Sequence, residues 1–353
     1  MKKLTALILA LTLAFSLCAC AVGAPATPGE TREFTDSAGR TVTLPAEIDS
    51  VVPSGAYAQI ILSTLCPEKL ASLSSALTRT QKRYLDDRLD DLPVTGQFYG
   101  GGSTVNYEAI IALAPDVILD IGEAKESVAA DMDALERRTG IPVVFIEAGI
   151  ATMAEAYETL GALLGAAEQG SACAAYIREV LADAAEKTAA LPEKRRVLYS
   201  QGEYGTEVMG AGSLHAEVLD YAGAENVAVL SAVASQGGTE VSPEQILLWD
   251  PEVVILAPES NYDEIFGDPV WAGVGAVRSG AVYEAPMGPY NWMDRPPSVQ
   301  RILAVRWLGN LLYPALFDYD MVAETQRFYA LFWHYDLSES EAQELLQNST
   351  LKK

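Results

Sequence analysis

The stretch NYEAIIALAPDVIL at 106–119 returns in altered form as SPEQILLWDPEVVIL at 242–256, and this repetition decides how the chain is organised. In each copy a glutamate stands seven residues ahead of a proline, Glu108 before Pro115 and Glu244 before Pro251, and an acidic residue and an aliphatic run follow. Asn106 and Ser242 are good helix N-caps, because their side-chain oxygens accept the free N–H groups of a first turn. Both glutamates then fall at the second helical position, where a carboxylate gains about 0.3 to 1 kcal/mol from the helix dipole. The dipole explains a glutamate in either place. It does not explain matched glutamates in both, since Asp or Ser would serve nearly as well.

Outward from the first copy, residues 34–147 alternate short aliphatic runs with helical stretches: SVVPSG then AQIILSTL, PVTGQ then NYEAIIAL, DVILDIG then KESVAADMDALERR, and IPVVFIEA. Such alternation predicts a parallel sheet covered by helices on both faces. Residues 152–190 have nearly continuous helical composition, interrupted near Gly165 and Gly170 and stopped before Pro192, and read as a rigid connector. The pattern then restarts with RVLYSQG, LHAEVLDYAG, SPEQILLWD, EVVILAPES and AVYEAP. The expected architecture is α/β: two Rossmann-like lobes with parallel sheets, joined by a single long helix, with a ligand cleft between them. The expected boundaries are a signal peptide at 1–19, a tether at 20–33, a first lobe at 34–150, linker helices at 151–191 and a second lobe at 192–353. The aromatic stripe of YDMVAETQRFYALFWHYDL near the C-terminus reads as core packing.

The 353 residues exceed the usual single-core size of about 100 to 200, which favours two cores. A formal charge of −24, from 24 Lys plus Arg against 48 Asp plus Glu, opposes binding to nucleic acid or to anionic membrane surfaces. The opening MKKLTALILALTLAFSLCAC places two lysines before an apolar run too short to span a bilayer and reads as an export signal. Its end resembles the bacterial lipobox, with Cys20 as the lipidated residue, since Leu17 is too large for the cleavage position ahead of Cys18. The protein is therefore expected outside the cytoplasm, lipid-anchored to the cell membrane. Cys66 and Cys173 lie in Ala- and Leu-rich helical contexts and are expected as buried free thiols.

Catalytic and metal motifs are absent. Two histidines, His215 and His334, are too few for a bare zinc or manganese site. HExxH, CxxC, GxSxG, GxGxxG and Walker loops do not occur. GAGSLH at 210–215 brings Ser213 close to His215 in sequence, but that spacing makes no triad, and a helix-capping serine is the simpler reading. The expectation is a non-enzymatic protein without a cofactor, with a surface lipoprotein enzyme of α/β architecture as the rival.

Several features in order, the lipobox, FTDSAGRTVTLP at 34–45, SVVPSG, the two copies of the repeated phrase, the long helix, GAENV at 223–227 and NWMDRPPSVQRILAVRWL, make residues 34–318 resemble the periplasmic binding proteins that deliver iron chelates, haem and cobalamin to ABC importers. The resemblance implies a monomer that hands its ligand to a permease dimer with a cytoplasmic ATPase. It also implies that Glu108 and Glu244, one per lobe, meet arginines of the two membrane subunits.

Ligands of open parallel sheets bind outside the carboxyl ends of the strands, which selects the loops at 54–57, 96–102, 122–125, 201–204, 258–262 and 288–295. Within them GQFYGGG, QGEYG and GPYNWMDR join glycines to aromatics suited to a bulky organic ligand. Tyr99, Tyr204, Tyr290, Asn291 and Trp292 are the candidate contacts. Arg295 is expected to aim its guanidinium at a carboxylate or hydroxamate oxygen, or else to pair with Asp294 or a neighbouring carboxylate. The expected cargo is a metal chelate: a ferric siderophore, haem or a corrinoid. Molybdate, tungstate or a nickel chelate is the alternative.

Overall fold

The computed structural model describes residues 29–98, 105–231, 238–258, 260, 262–267, 269 and 271–350; Cys20 and Tyr99 lie outside the described residues. The described residues begin with an antiparallel hairpin, β1 (Thr31–Thr35) and β2 (Thr41–Pro45). β3 (Val51–Pro53) leads into α1 (Ala56–Leu65), and α2 (Tyr107–Leu113) precedes β4 (Val117–Gly122), α3 (Val128–Thr139) and β5 (Val143–Glu147). β3, β4 and β5 pair in that order, all parallel.

Two helices follow, α4 (Met153–Leu164) and the 23-residue α5 (Ala167–Ala189). The interruption expected at Gly165 is present, since this residue closes α4 with a left-handed φ of 74°. Gly170 does not interrupt α5. A Cβ there would lie 2.5 Å from the Tyr157 carbonyl oxygen and 3.0 Å from the Gly161 Cα, so this glycine lets α4 and α5 approach backbone to backbone.

The second lobe contains β6 (Arg196–Gln201), β7 (Glu207–Val208), β8 (Glu225–Asn226), β9 (Thr239–Glu240), α6 (Pro243–Trp249), β10 (Val253–Leu256) and β11 (Val282–Glu284). Its sheet runs β11-β10-β6-β7-β9, with β8 also on β6. β11, β10, β6 and β8 are parallel, whereas β7 and β9 are antiparallel additions, so this sheet is mixed rather than purely parallel.

Side-chain alternation along the strands divides the interior. Leu119 and Ile121 of β4, Val144 and Ile146 of β5, Val197 and Tyr199 of β6, and Val253 and Ile255 of β10 all enter one central core. Ile118, Val143 and Phe145 face a separate core under α3, and Leu198, Val254 and Leu256 face another beside α6. Each sheet thus turns one face to the common interior and the other to its own helices. The central core also holds α7 (Gln300–Leu312), buried at every residue except Asn310. The chain then forms α8 (Met321–Phe328) and a π-turn at Tyr329–Trp333. This aromatic segment is core, as its stripe predicts, and it touches both lobes. Phe332 packs edge-on against Tyr157, His334 Nε2 lies 3.1 Å from the Thr64 carbonyl, and Trp333 covers Tyr290. Cys66 and Cys173 are buried free thiols, each pushed up to about 12 by burial.

The repeated phrase builds the same object twice. Ala109 N–H donates to Asn106 Oδ1 at 3.0 Å, and Gln245 N–H donates to Ser242 Oγ at 3.3 Å, so both caps form. Each helix ends in a left-handed non-glycine residue, Ala114 (φ 46°) and Asp250 (φ 39°). Right-handed helical geometry is disfavoured before a proline, so Pro115 and Pro251 stop both helices and turn the chain into β4 and β10. Ile110 and Ile246, at equal places in the two copies, are the buried anchors of the two short helices.

Candidate ligand-binding cleft

The carboxyl ends of β3, β4 and β5 open onto a cavity of about 340 Å³. Tyr57, Gly122, Glu123, Ala124, Lys125 and Ala148 wall it on the first lobe, and Leu214, Pro297 and Arg301 close it from the second. The loops at 54–57 and 122–125, selected from the sequence, both contribute.

Arg301 is the central group. It stands in the first turn of α7, where the helix dipole opposes a cation, and is only 1 % exposed. Its Nη1 donates to Glu217 Oε2 at 3.0 Å, its guanidinium also meets the Tyr57 hydroxyl, and its buried Nε has no hydrogen-bond partner. Tyr57 donates in turn to the Ala148 carbonyl. Arg301 therefore bridges the lobes with one donor unused. Burial pushes the Glu217 carboxyl above the usual range, against the pull of Arg301, and Glu123 from the opposite lobe adds to the rise. Burial likewise pushes the Tyr57 phenol up while Arg301 opposes it.

One residue from Leu214, His215 Nδ1 lies 2.7 and 2.8 Å from the two oxygens of Asp294, whose side chain is wholly buried. Ser213 occupies the N-cap position of the 3-10 turn Leu214–Ala216 but makes no cap bond; its buried hydroxyl is unpartnered, contrary to the capping role expected for it. The cleft therefore gathers charges of both signs, Lys125 and Arg301 with Glu123 and Glu217. Among the described residues no group of three or more His, Cys, Asp or Glu side chains could hold a bare metal ion.

The structure disperses the residues expected as ligand contacts. Trp292 is wholly buried and crosses Trp307 at 90° with centroids 6.5 Å apart. Tyr290 is buried beside Gln59 with its ring 5.7 Å from Trp333. Asn291 is also buried, donating to the Tyr199 hydroxyl at 3.3 Å. These three side chains face the core, not the cleft, because the C-terminal segment pulls the loop inward: Tyr329 donates to the Gly288 carbonyl and Trp333 roofs Tyr290. Arg295 adopts a left-handed φ of 55° and remains 42 % exposed, with Nη2 3.7 Å from Glu207 Oε1. It pairs with a carboxylate, as the bracing alternative has it, though not with Asp294, which His215 occupies. Tyr204 projects from the β6–β7 turn at 64 % exposure and does not line the cavity. Glu108 and Glu244 are exposed on α2 and α6.

Tyr57 lies in a loop selected from the sequence, whereas Arg301, Glu217 and the pairing of His215 with Asp294 are what sequence reasoning missed. The available signal was an arginine two residues into a helix whose other positions are overwhelmingly apolar, since such a cation is seldom buried without partners.

Two α/β lobes meeting at a cavity on strand carboxyl ends define a cleft-type solute binder. The chain belongs to the periplasmic binding protein family, the extracytoplasmic solute-binding components of ABC transporters, whose family model matches residues 68–287. An ABC transporter solute-binding protein from Sulfurospirillum deleyianum is 29 % identical, with 90 % of this chain and 99 % of that one covered at a TM-score of 0.82. A periplasmic solute-binding protein from Veillonella parvula is 27 % identical, covering 91 % of this chain and 98 % of its own at a TM-score of 0.76. The molybdate-bound periplasmic binding protein of Haemophilus influenzae, 21 % identical over 87 % of this chain and 99 % of its own with a TM-score of 0.67, shares the fold. No curated protein matches the chain. No helix among the described residues is long and apolar enough to cross a membrane.

Proposed function

We propose that the cleft captures a compact metal chelate carrying charges of both signs and delivers it to a permease dimer with a cytoplasmic ATPase. The observation that carries this reading is Arg301, buried at the lobe junction between Glu217 and Tyr57 with Nε unused. A ligand carboxylate or hydroxamate oxygen suits that donor, while Glu123 and Glu217 suit cationic or N–H groups at the ligand's edge. The cavity of about 340 Å³ lies near the small end of the roughly 300–1,000 Å³ typical of ligand pockets. With Tyr290 and Trp292 turned into the core, Tyr57 is the one aromatic side chain among the described residues that lines the cavity, which favours a ferric siderophore of modest size over haem or a corrinoid.

A second reading, an oxyanion such as molybdate or tungstate, or a nickel chelate, draws on the same unused Arg301 donor together with Lys125. Native mass spectrometry of protein purified from its own cells separates the two, followed by titration with a ferric hydroxamate, haem, cyanocobalamin, nickel–histidine and molybdate. A bound iron complex supports the first reading. Tight molybdate binding with indifference to every chelate replaces it with the second.

Attachment to the membrane through a lipid on Cys20 completes the proposal. It rests on LCAC after the apolar run, and two acyl chains exceed the marginal hold of one. Cys20→Ala is expected to abolish incorporation of labelled lipid; a labelled variant would exclude the site.

A further inference from the structure

The second-lobe sheet reverses its order at β6, which pairs with β8 on one side and with β10 on the other. The carboxyl end of a parallel strand at such a reversal is where open α/β sheets bind ligands. Gln201 is the last residue of β6. Strand residues two apart share a face, so Gln201 stands with Val197 and Tyr199 on the side turned to the interior between the lobes.

Gln201 is wholly buried, yet neither its Oε1 nor its Nε2 has a hydrogen-bond partner among the described residues. Gln59 and Gln300, buried to the same degree, are both employed. Gln59 Oε1 accepts from Ser74 N–H at 2.7 Å and from Ser74 Oγ at 2.9 Å. Gln300 Oε1 accepts from Tyr290 N–H at 3.0 Å, and its Nε2 donates to the Gly288 carbonyl at 2.8 Å. An amide taken out of water with neither end bonded lowers stability, and packing alone would be served better by Leu or Met.

The surroundings tie this amide to the cleft. Gln201 is the register partner of Glu207 on β7, and directly opposed residues of an antiparallel pair share a face. Arg295 Nη2 lies 3.7 Å from Glu207 Oε1. Asp294, next to Arg295 in the chain, holds His215, while Leu214 and Pro297 line the cavity. A run of neighbouring residues thus leads from the cavity wall to Gln201. Gly238 leaves room along it, since a Cβ there would lie 2.7 Å from Glu207 Cγ and 3.1 Å from Gln201 Nε2.

We propose that Gln201 is a specificity-determining contact of the cleft, selecting a ligand that presents an N–H and a carbonyl oxygen side by side, as a carboxamide or a peptide ring does. This rests on the importer reading above and names a group that its cargo carries. Oε1 accepts from the ligand N–H, and Nε2 donates to the ligand carbonyl. The opposite charges of Glu207 and Arg295 beside it suit a neutral group. A buried site built for such a group rejects a ligand without it, because the amide then stays unpaired.

The test compares the mature chain with its Gln201→Met variant, a swap of similar volume that removes donor and acceptor together. The probes, titrated by calorimetry, are ferrichrome, whose ring carries peptide amides, cyanocobalamin, whose rim carries carboxamides, and three without amides: ferric citrate, haem and molybdate. The wild type is expected to prefer one of the two amide-bearing probes, and which one it is separates a siderophore from a corrinoid. Gln201→Met is expected to weaken that binding by about tenfold or more and to change binding of the amide-free probes by less than about twofold. It is also expected to raise the melting temperature of the ligand-free protein by about 2 °C or more, since an unpaired buried amide is removed. Unchanged affinity for the amide-bearing probe overturns the inference. Equal loss across all probes does the same, as does a lowered melting temperature, which marks the amide as structural. A wild type that binds neither amide-bearing probe also overturns it: with ferric citrate or haem bound the chelate reading stands, and with molybdate alone bound that reading falls too.

Discussion

Replacing Arg301 by glutamine separates a ligand-binding role from a bracing one. The guanidinium is buried, holds Glu217 at 3.0 Å and reaches Tyr57 on the other lobe. Breaking a fully buried ion pair by removing one partner costs about 3–5 kcal/mol. The Glu217 side chain is 28 % exposed and can rehydrate, so about 1–3 kcal/mol is expected here, a fall of several degrees in melting temperature. A hydrogen bond to a charged group is worth about 1.5–3 kcal/mol, so loss of the Arg301 contact should weaken ligand binding about ten- to hundredfold. The two effects part in a second variant, Arg301→Met with Glu217→Leu, which replaces the pair by apolar groups. It should recover most of the lost stability and none of the lost affinity. Calorimetric melting gives the first quantity. Isothermal titration with the ligand identified by native mass spectrometry gives the second. Wild-type affinity in either variant refutes the assignment of Arg301 to the ligand.

Trp292→Ala should cost about 3–5 kcal/mol in urea unfolding while leaving the affinity of the folded fraction intact, since the ring packs on Trp307 and is wholly buried. Gly170→Ala should destabilise by about 1–3 kcal/mol, because its methyl would meet the Tyr157 carbonyl at 2.5 Å; thermal melting tests it, and an unchanged midpoint contradicts the close helix approach. Acid stability should fall between about pH 4.5 and 2. Arg327 and Arg306 hold Glu179 at about 2, and hydrogen bonds from Ser338 hold Glu341 at about 2, against an ordinary 4.5. The unfolded chain takes up these protons first, so the stabilisation is complete above the ordinary value and is lost as pH falls towards the folded one. Glu179→Gln should flatten the dependence of the urea midpoint on pH in that window by about 1 kcal/mol or less, because its side chain is 47 % exposed.

The repeated helix–proline–strand units were legible because everything that defines them is local: the caps Asn106 and Ser242, the prolines and the aliphatic runs lie within fifteen residues of one another. The second sheet's antiparallel additions were not, since β7 and β9 are two residues each and carry no periodicity. The ligand loop failed for a different reason. YNWMDR does follow β11, but whether Trp292 faces cleft or core is decided by Trp307 and Tyr329, partners fifteen and thirty-seven residues further along. Arg301 was hidden in the same way, since its partners Tyr57 and Glu217 come from opposite lobes.

The C-terminal segment that spans both lobes also bears on when the protein can finish folding. His334 meets the Thr64 carbonyl across 270 residues of sequence, and Phe332 seals the core around Tyr157. The first lobe therefore lacks part of its interior until almost the whole chain is available. Contacts this distant are slow to form, because the entropy of closing the intervening chain is spent before they contribute. Truncation before Phe328 is therefore expected to loosen the first lobe as well as the second, although every residue of the first lobe is still present.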